Sequence, residues 1–274
     1  MAKDQEAQTE KYKAAIEGGS SIAGAILGGA AGAIGGPAGI VAGAIVGTVC
    51  EHLFSKIGND IKERILSKSE DRKIETVFSR AAKRISEKLE AGKTIRQDDF
   101  FSESIDGRSP AEEILEKTLF VAQREAEERK LPYLANLYAN IVFDTSITRE
   151  QANQLIKAAE EISYEQLVII SVIAFYQIAR QQFGAINPKE QDFRKTAYKE
   201  VRGYDNVAIL TSTYDLIRRG IVFAHQIPID VASINPSSLY IAGLGANLLN
   251  FMELSSIPYD QLTEKIRKTF TYQG

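Results

Sequence analysis

From Gly18 to Val49 the chain runs for 32 residues without a charged side chain, and glycine recurs there at a spacing of four. Gly24, Gly28, Gly32 and Gly36 form one series; Gly35, Gly39, Gly43 and Gly47 form a second. On a helix a period of four lines each series along one face. Glycine in that stripe removes the side chain, so two backbones can approach closely and gain dispersion and Cα–H···O contacts. In water the same helix is poor, since each glycine costs roughly 1 kcal/mol relative to alanine. The segment therefore needs a partner surface or a lipid environment in order to be helical.

Its length argues for two arms. A single helix of that length would measure about 48 Å at a rise of about 1.5 Å per residue, against a hydrocarbon core of about 30 Å. Pro37 lies mid-segment in Gly35-Gly36-Pro37-Ala38-Gly39, a strong helix breaker with Gly24–Gly36 before it and Gly39–Gly47 after it. The sequence predicts a helical hairpin with arms over 20–34 and 38–57. Only nine of the 32 residues are Ile, Leu or Val, so conditional insertion fits better than a permanent anchor. The competing reading is a Gly/Ala hairpin buried in a soluble oligomer. A P-loop is excluded because no Gly-Lys-Ser/Thr follows the glycines.

The flanks orient the hairpin. Residues 1–17 form a polar tail of mixed charge, unlike a short basic secretory leader. Residues 51–96 carry 12 Lys/Arg against 8 Asp/Glu. Lys56, Lys62 and Arg64 follow the hairpin directly, as cations placed for lipid headgroups, and the positive-inside rule puts that side in the cytoplasm. Residues 97–165 reverse the balance, with 15 Asp/Glu against 7 Lys/Arg, so the acidic block can pair with the basic stretch in a closed state.

Composition narrows the chemistry. Net charge is −3 and 44% of residues are hydrophobic, which excludes a disordered chain and a strongly basic nucleic-acid binder. Cys50 is the lone cysteine, so no internal disulfide framework exists. Cys50 and His52 stand at i and i+2, where helical side chains do not converge on a metal. The expectation is a non-enzyme with no metal and no cofactor.

Helix signals fill the remainder. Apolar positions Leu53, Ile57, Ile61, Ile65, Ile74, Val77, Phe78, Ala81, Ile85 and Leu89 predict one long helix, or two jointed near Ser67–Asp71, closed by Gly92. Capping boxes at Ser109–Glu112, Thr148–Gln151 and Ser163–Gln166 open helices, the first running to about Arg129 and the second to about Glu161. A further amphipathic helix spans Tyr133 to Val142. Beyond Ser163 the pattern gives helices over 164–182, 189–200 and 206–219, the last stopped by Gly220. Strands follow at Ile221–Ala224 and Leu239–Ala242, then helices at Gly245–Leu254 and Tyr259–Phe270.

Three helices, a two-stranded ribbon and another helix resemble a winged-helix domain. Asp215-Leu216-Ile217-Arg218-Arg219-Gly220-Ile221-Val222 looks like a third helix entering a wing, and Leu239–Gly245 like the return strand. That resemblance implies a DNA-binding alternative, whether membrane-tethered or soluble. Its third helix would offer Ser212, Thr213, Tyr214 and Asp215, with Arg218 and Arg219 only at the end; this lacks the basic stripe that phosphate contacts need. The whole layout, with Leu131-Pro132-Tyr133-Leu134-Ala135-Asn136-Leu137-Tyr138-Ala139-Asn140, is similar to bacterial proteins of the abortive-infection-alpha type. That resemblance implies antiphage defence by arrest or death of the infected cell.

The expected fold is therefore mainly α. It comprises a polar tail (1–17), a Gly-rich helical hairpin (18–57), a helical region (58–161) and a winged-helix-like domain with a small β-wing (162–274). The expected partners are a lipid bilayer, further copies of the chain in a homo-oligomer, and a protein at the C-terminal domain. The expected site residues are Gly24, Gly28, Gly32, Gly36, Pro37, Gly39, Gly43 and Gly47, with Lys56, Lys62 and Arg64 at the headgroups.

Overall fold

A computed structural model describes residues 67–103, 107–183, 204–235, 238–258 and 260–262. The described residues are mainly helical, with a small two-stranded antiparallel sheet among them. It divides into two compact units between Glu160 and Glu161.

The first unit begins at helix α1, Lys68–Glu90. Ser67 closes a full capping box: its Oγ accepts from the Glu70 N–H at 3.3 Å, and Glu70 accepts from the Ser67 N–H at 2.8 Å. A helix therefore starts at the joint that the sequence allowed near Ser67–Asp71. Ile74, Val77, Ala81 and Ile85 make its buried stripe. Gly92 ends it, as expected, at φ +78°. Helix α2, Pro110–Arg124, opens with Ser109 accepting from the Glu112 N–H and proline in the first turn. Helix α3, Leu131–Ile141, is the centre of this unit and packs on both α1 and α2. Helix α4, Arg149–Glu161, starts at the reciprocal Thr148–Gln151 box and buries Ala152, Leu155, Ile156 and Ala159.

One boundary departs from expectation. Helix α2 stops at Arg124 rather than near Arg129. Glu125 turns to extended backbone, and a 3-10 turn at Glu128–Lys130 leads straight into α3. The break brings the Glu125 carboxylate to Lys130 Nζ, and Pro132, with no N–H to donate, sits in the first turn of α3, where that N–H is not needed.

The second unit is built around helix α5, Tyr164–Phe183. It opens on the reciprocal Ser163–Gln166 box. Every residue from Gln166 to Ala174 is buried, the all-round burial of a central helix. Helix α6, Tyr204–Arg218, packs against it. Gly220, at φ +67°, and Ile221 return N–H groups to the Ile217 and Leu216 carbonyls, the αL stop read from the sequence. Strands β1, Val222–Ala224, and β2, Leu239–Ile241, pair antiparallel with Phe223 opposite Tyr240. Alternation puts Val222, Leu239 and Ile241 into the core and leaves Phe223 exposed. Helix α7, Gly243–Phe251, and a 3-10 turn at Leu254–Ser256 complete the described part. Residues 189–200 and most of Tyr259–Phe270 lie outside the described residues, as do 1–66.

Candidate functional site

The residues singled out in the sequence for membrane and oligomer contact (Gly24, Gly28, Gly32, Gly36, Pro37, Gly39, Gly43, Gly47, Lys56, Lys62 and Arg64) all lie outside the described residues. So do Cys50 and His52. Among the described residues no helix is long and apolar enough to cross a membrane, and no group of three His, Cys, Asp or Glu is placed to hold a metal ion.

Two charged clusters organise the first unit, and neither was visible in the sequence. Arg96 is buried and forks onto Asp98, with Nε at 2.8 Å from Oδ1. Its Nη1 reaches the Ile141 carbonyl at 3.4 Å, and the guanidinium lies 4.4 Å from the Phe100 ring centre. The segment after α1 is thereby fixed to the end of α3. The hydrogen bonds from Arg96 hold the Asp98 carboxyl below its usual range. The second cluster is centred on Lys130, only 2% exposed, whose Nζ sits 2.5 Å from the Glu125 carboxylate and 3.4 Å from the Glu160 carbonyl. A lysine ammonium at the last carbonyls of α4 also suits the negative end of that helix. Among the described residues the basic stretch meets the acidic block at Arg96–Asp98 and at Arg72–Glu128; both side chains of the second pair are more than half exposed, so its worth is small.

Leu131–Asn140, which carries the abortive-infection resemblance, is the α3 helix. Leu131, Tyr133, Leu134, Ala135, Leu137, Tyr138 and Ala139 are buried. These residues serve packing in this structure.

In the second unit the ribbon is held by a side chain acting as a strand. Gln177 on α5 accepts the Ile241 N–H at 2.8 Å and donates to the Ile241 carbonyl at 3.5 Å. This satisfies the outer edge of β2, which would otherwise present unpaired backbone groups. Gly245 allows α7 to lie against the start of the ribbon: a Cβ there would stand 1.9 Å from the Ile221 carbonyl oxygen. The residues that would read DNA are partly spent on the fold. Thr213 is buried and donates to the Ile209 carbonyl. Asp215 accepts from Arg219 at 2.7 Å and from Gln166 at 2.9 Å, while Arg219 also reaches Glu161 at 2.6 Å. Burial pushes the Asp215 carboxyl upward, but those two donors and the charge of Arg219 outweigh it and hold it below the usual range. Arg218 remains at the surface.

The exposed side of the ribbon is different in kind. Phe223 and His225 both stack on Tyr240, with ring centres 5.6 and 5.0 Å away. Beyond them the connection carries Ile227 at 90% exposure and Ile229 at 84%. Between the two, Pro228 is buried. The tip is held in shape from both sides. The His225 N–H donates to the Ser238 carbonyl, and the Asp230–Ser233 capping box closes the far side. The Tyr214 hydroxyl adds a bond to the Ile229 carbonyl at 3.4 Å. Pattern reasoning assigns isoleucines to a core, so nothing in the sequence announced these two as surface residues.

Comparison with protein-family models, with curated proteins and with solved structures finds no match for this chain.

Proposed function

We propose that this chain is a bacterial membrane-active effector, of the abortive-infection kind, whose Gly-rich hairpin oligomerises and perturbs the inner membrane from its cytoplasmic face. The observation that carries this reading is the uncharged stretch from Gly18 to Val49, with its two four-residue glycine series and the basic run directly after it. A solvated chain gains nothing from such a stretch; close helix packing in lipid does. Antiphage defence comes from the resemblance alone.

We read the second unit as winged-helix-like. The order α5, α6, β1, β2, α7 supports that; the second helix of the motif, expected from the sequence at 189–200, lies outside the described residues. The α6 surface favours protein contact over DNA, since Arg219 is tied to Asp215 and Glu161 and no basic row runs along the helix.

The test is expression of the full chain beside a 51–274 truncation, followed by membrane fractionation and a potential-sensitive dye. The full chain is expected in the membrane fraction and depolarises the cell; the truncation does neither. Replacing Gly28 and Gly32 by leucine in the full chain is expected to abolish depolarisation. A fully active leucine variant defeats the zipper mechanism. Equal partition of both chains into the soluble fraction favours the soluble oligomer instead.

A further inference from the structure

We infer that the tip of the β1–β2 connection, formed by Ile227 and Ile229 with Phe223 behind them, is a second lipid contact that inserts into the headgroup–acyl boundary of a bilayer. This rests on the membrane reading of the hairpin, since a chain already held at the bilayer needs only a small patch to dock there.

Four observations carry it. The two isoleucines are almost completely exposed, at 90% and 84%, where single exposed aliphatics ordinarily retain partial cover. They are also presented rigidly. The buried Pro228, the Asp230–Ser233 box and the Tyr214 bond fix the loop that bears them, so little ordering cost remains on docking. The surroundings carry few charged side chains: from Ile221 to Ala242 the sequence has Asp230 and no other Asp, Glu, Lys or Arg. Entry into the interface therefore desolvates few charges, whereas a nucleic-acid contact would need cations. Finally, the patch is small. Two isoleucines and one part-exposed phenylalanine offer roughly 200–300 Å², against about 800 Å² per partner in a stable protein interface. A convex, apolar tip of that size suits a fluid bilayer better than a folded partner or a second copy.

Aromatic residues set behind an aliphatic tip fit the same geometry. Tyr240 and His225 combine an apolar ring with a polar atom, the combination found at the level of lipid headgroups.

The experiment uses the full chain with Cys50→Ser as background and a single environment-sensitive fluorophore on Ile227→Cys. A second sample carries it on Ser255→Cys, an exposed position of the same unit. The probe is vesicles of phosphatidylethanolamine and phosphatidylglycerol, with and without brominated acyl chains. Bromine is expected to quench the label at position 227 and to leave that at position 255 unchanged. Ile227→Asp with Ile229→Asp is expected to weaken vesicle flotation by about tenfold or more, given the burial of two aliphatic side chains. Both residues are exposed, so the fold is unaffected.

Flotation of the full chain with the 227 label still in water overturns the tip contact and leaves the hairpin reading standing. Quenching at 227 in a chain whose Gly32→Lys, Gly43→Lys variant, with charges that oppose insertion of the hairpin, floats as well as the parent supports the tip and overturns the hairpin. Absence of any flotation overturns both. A lipid-free oligomer that the Ile227→Asp, Ile229→Asp variant dissociates reassigns the tip to a second copy and overturns the inference.

Discussion

Lys130 is the residue whose replacement is expected to damage the first unit most. Its ammonium is 2% exposed and its partner Glu125 9% exposed, so truncating the lysine leaves a carboxylate in a site that water barely reaches. Breaking such a pair from one side costs about 3–5 kcal/mol. Glu125 keeps one hydrogen bond, from the Glu127 N–H at 2.9 Å, which places Lys130→Met near the lower end, about 3 kcal/mol. A domain of this size has roughly 5–15 kcal/mol in total, and each kcal/mol moves its midpoint by about 4–8 °C. The expected fall is on the order of 15 °C. Removing both charges, Lys130→Met with Glu125→Leu, leaves nothing to solvate and is expected to recover most of the loss. Arg72→Ala breaks the exposed Arg72–Glu128 pair and is expected to cost under about 1 kcal/mol. Native-state hydrogen exchange on the full chain is the suitable assay, because α3 peptides report the opening of the first unit separately from the second. A single variant within about 1 kcal/mol of the parent, or a double variant no better than the single, refutes the reasoning.

Gly245→Ala is expected to destabilise the second unit by about 1–3 kcal/mol through overpacking. The new methyl meets backbone, 1.9 Å from the Ile221 oxygen, and no flexible side chain can yield; unchanged exchange in α7 and β1 would contradict this. Glu70 is expected to titrate at about 2 instead of 4.5, held down by hydrogen bonds from Ser67 first and Gln123 second. Because the folded value is depressed, its support of the α1 start is complete above pH 4.5 and is lost as pH falls through about 2. Carboxyl-carbon NMR would show the midpoint, which Ser67→Ala should raise toward 4.5.

How much of this was written locally explains what sequence reading caught. A cap needs only residues i and i+3, so the N-cap at Ser109 and the boxes at Thr148 and Ser163 could be placed from the sequence, and so could the stop at Gly220. The end of α2 at Arg124 was not legible, because residues 125–129 are Glu, Ala and Arg, good helix formers with no Gly or Pro among them. Lys130, Arg96, Gln177 and Gly245 were illegible for one shared reason. Each is defined by a group distant in the chain: the Glu160 carbonyl, the Ile141 carbonyl, the Ile241 backbone and the Ile221 oxygen. No spacing rule reaches that far. The tip of the β1–β2 connection failed in the opposite way. Periodicity reads apolar residues as buried, and it cannot mark the ones a fold holds out in water. An isoleucine in the core is explained by packing, whereas Ile227 and Ile229 gain nothing from the described fold and are kept rigid by it. That combination of exposure and rigidity is the reason the proposed lipid contact is assigned to them.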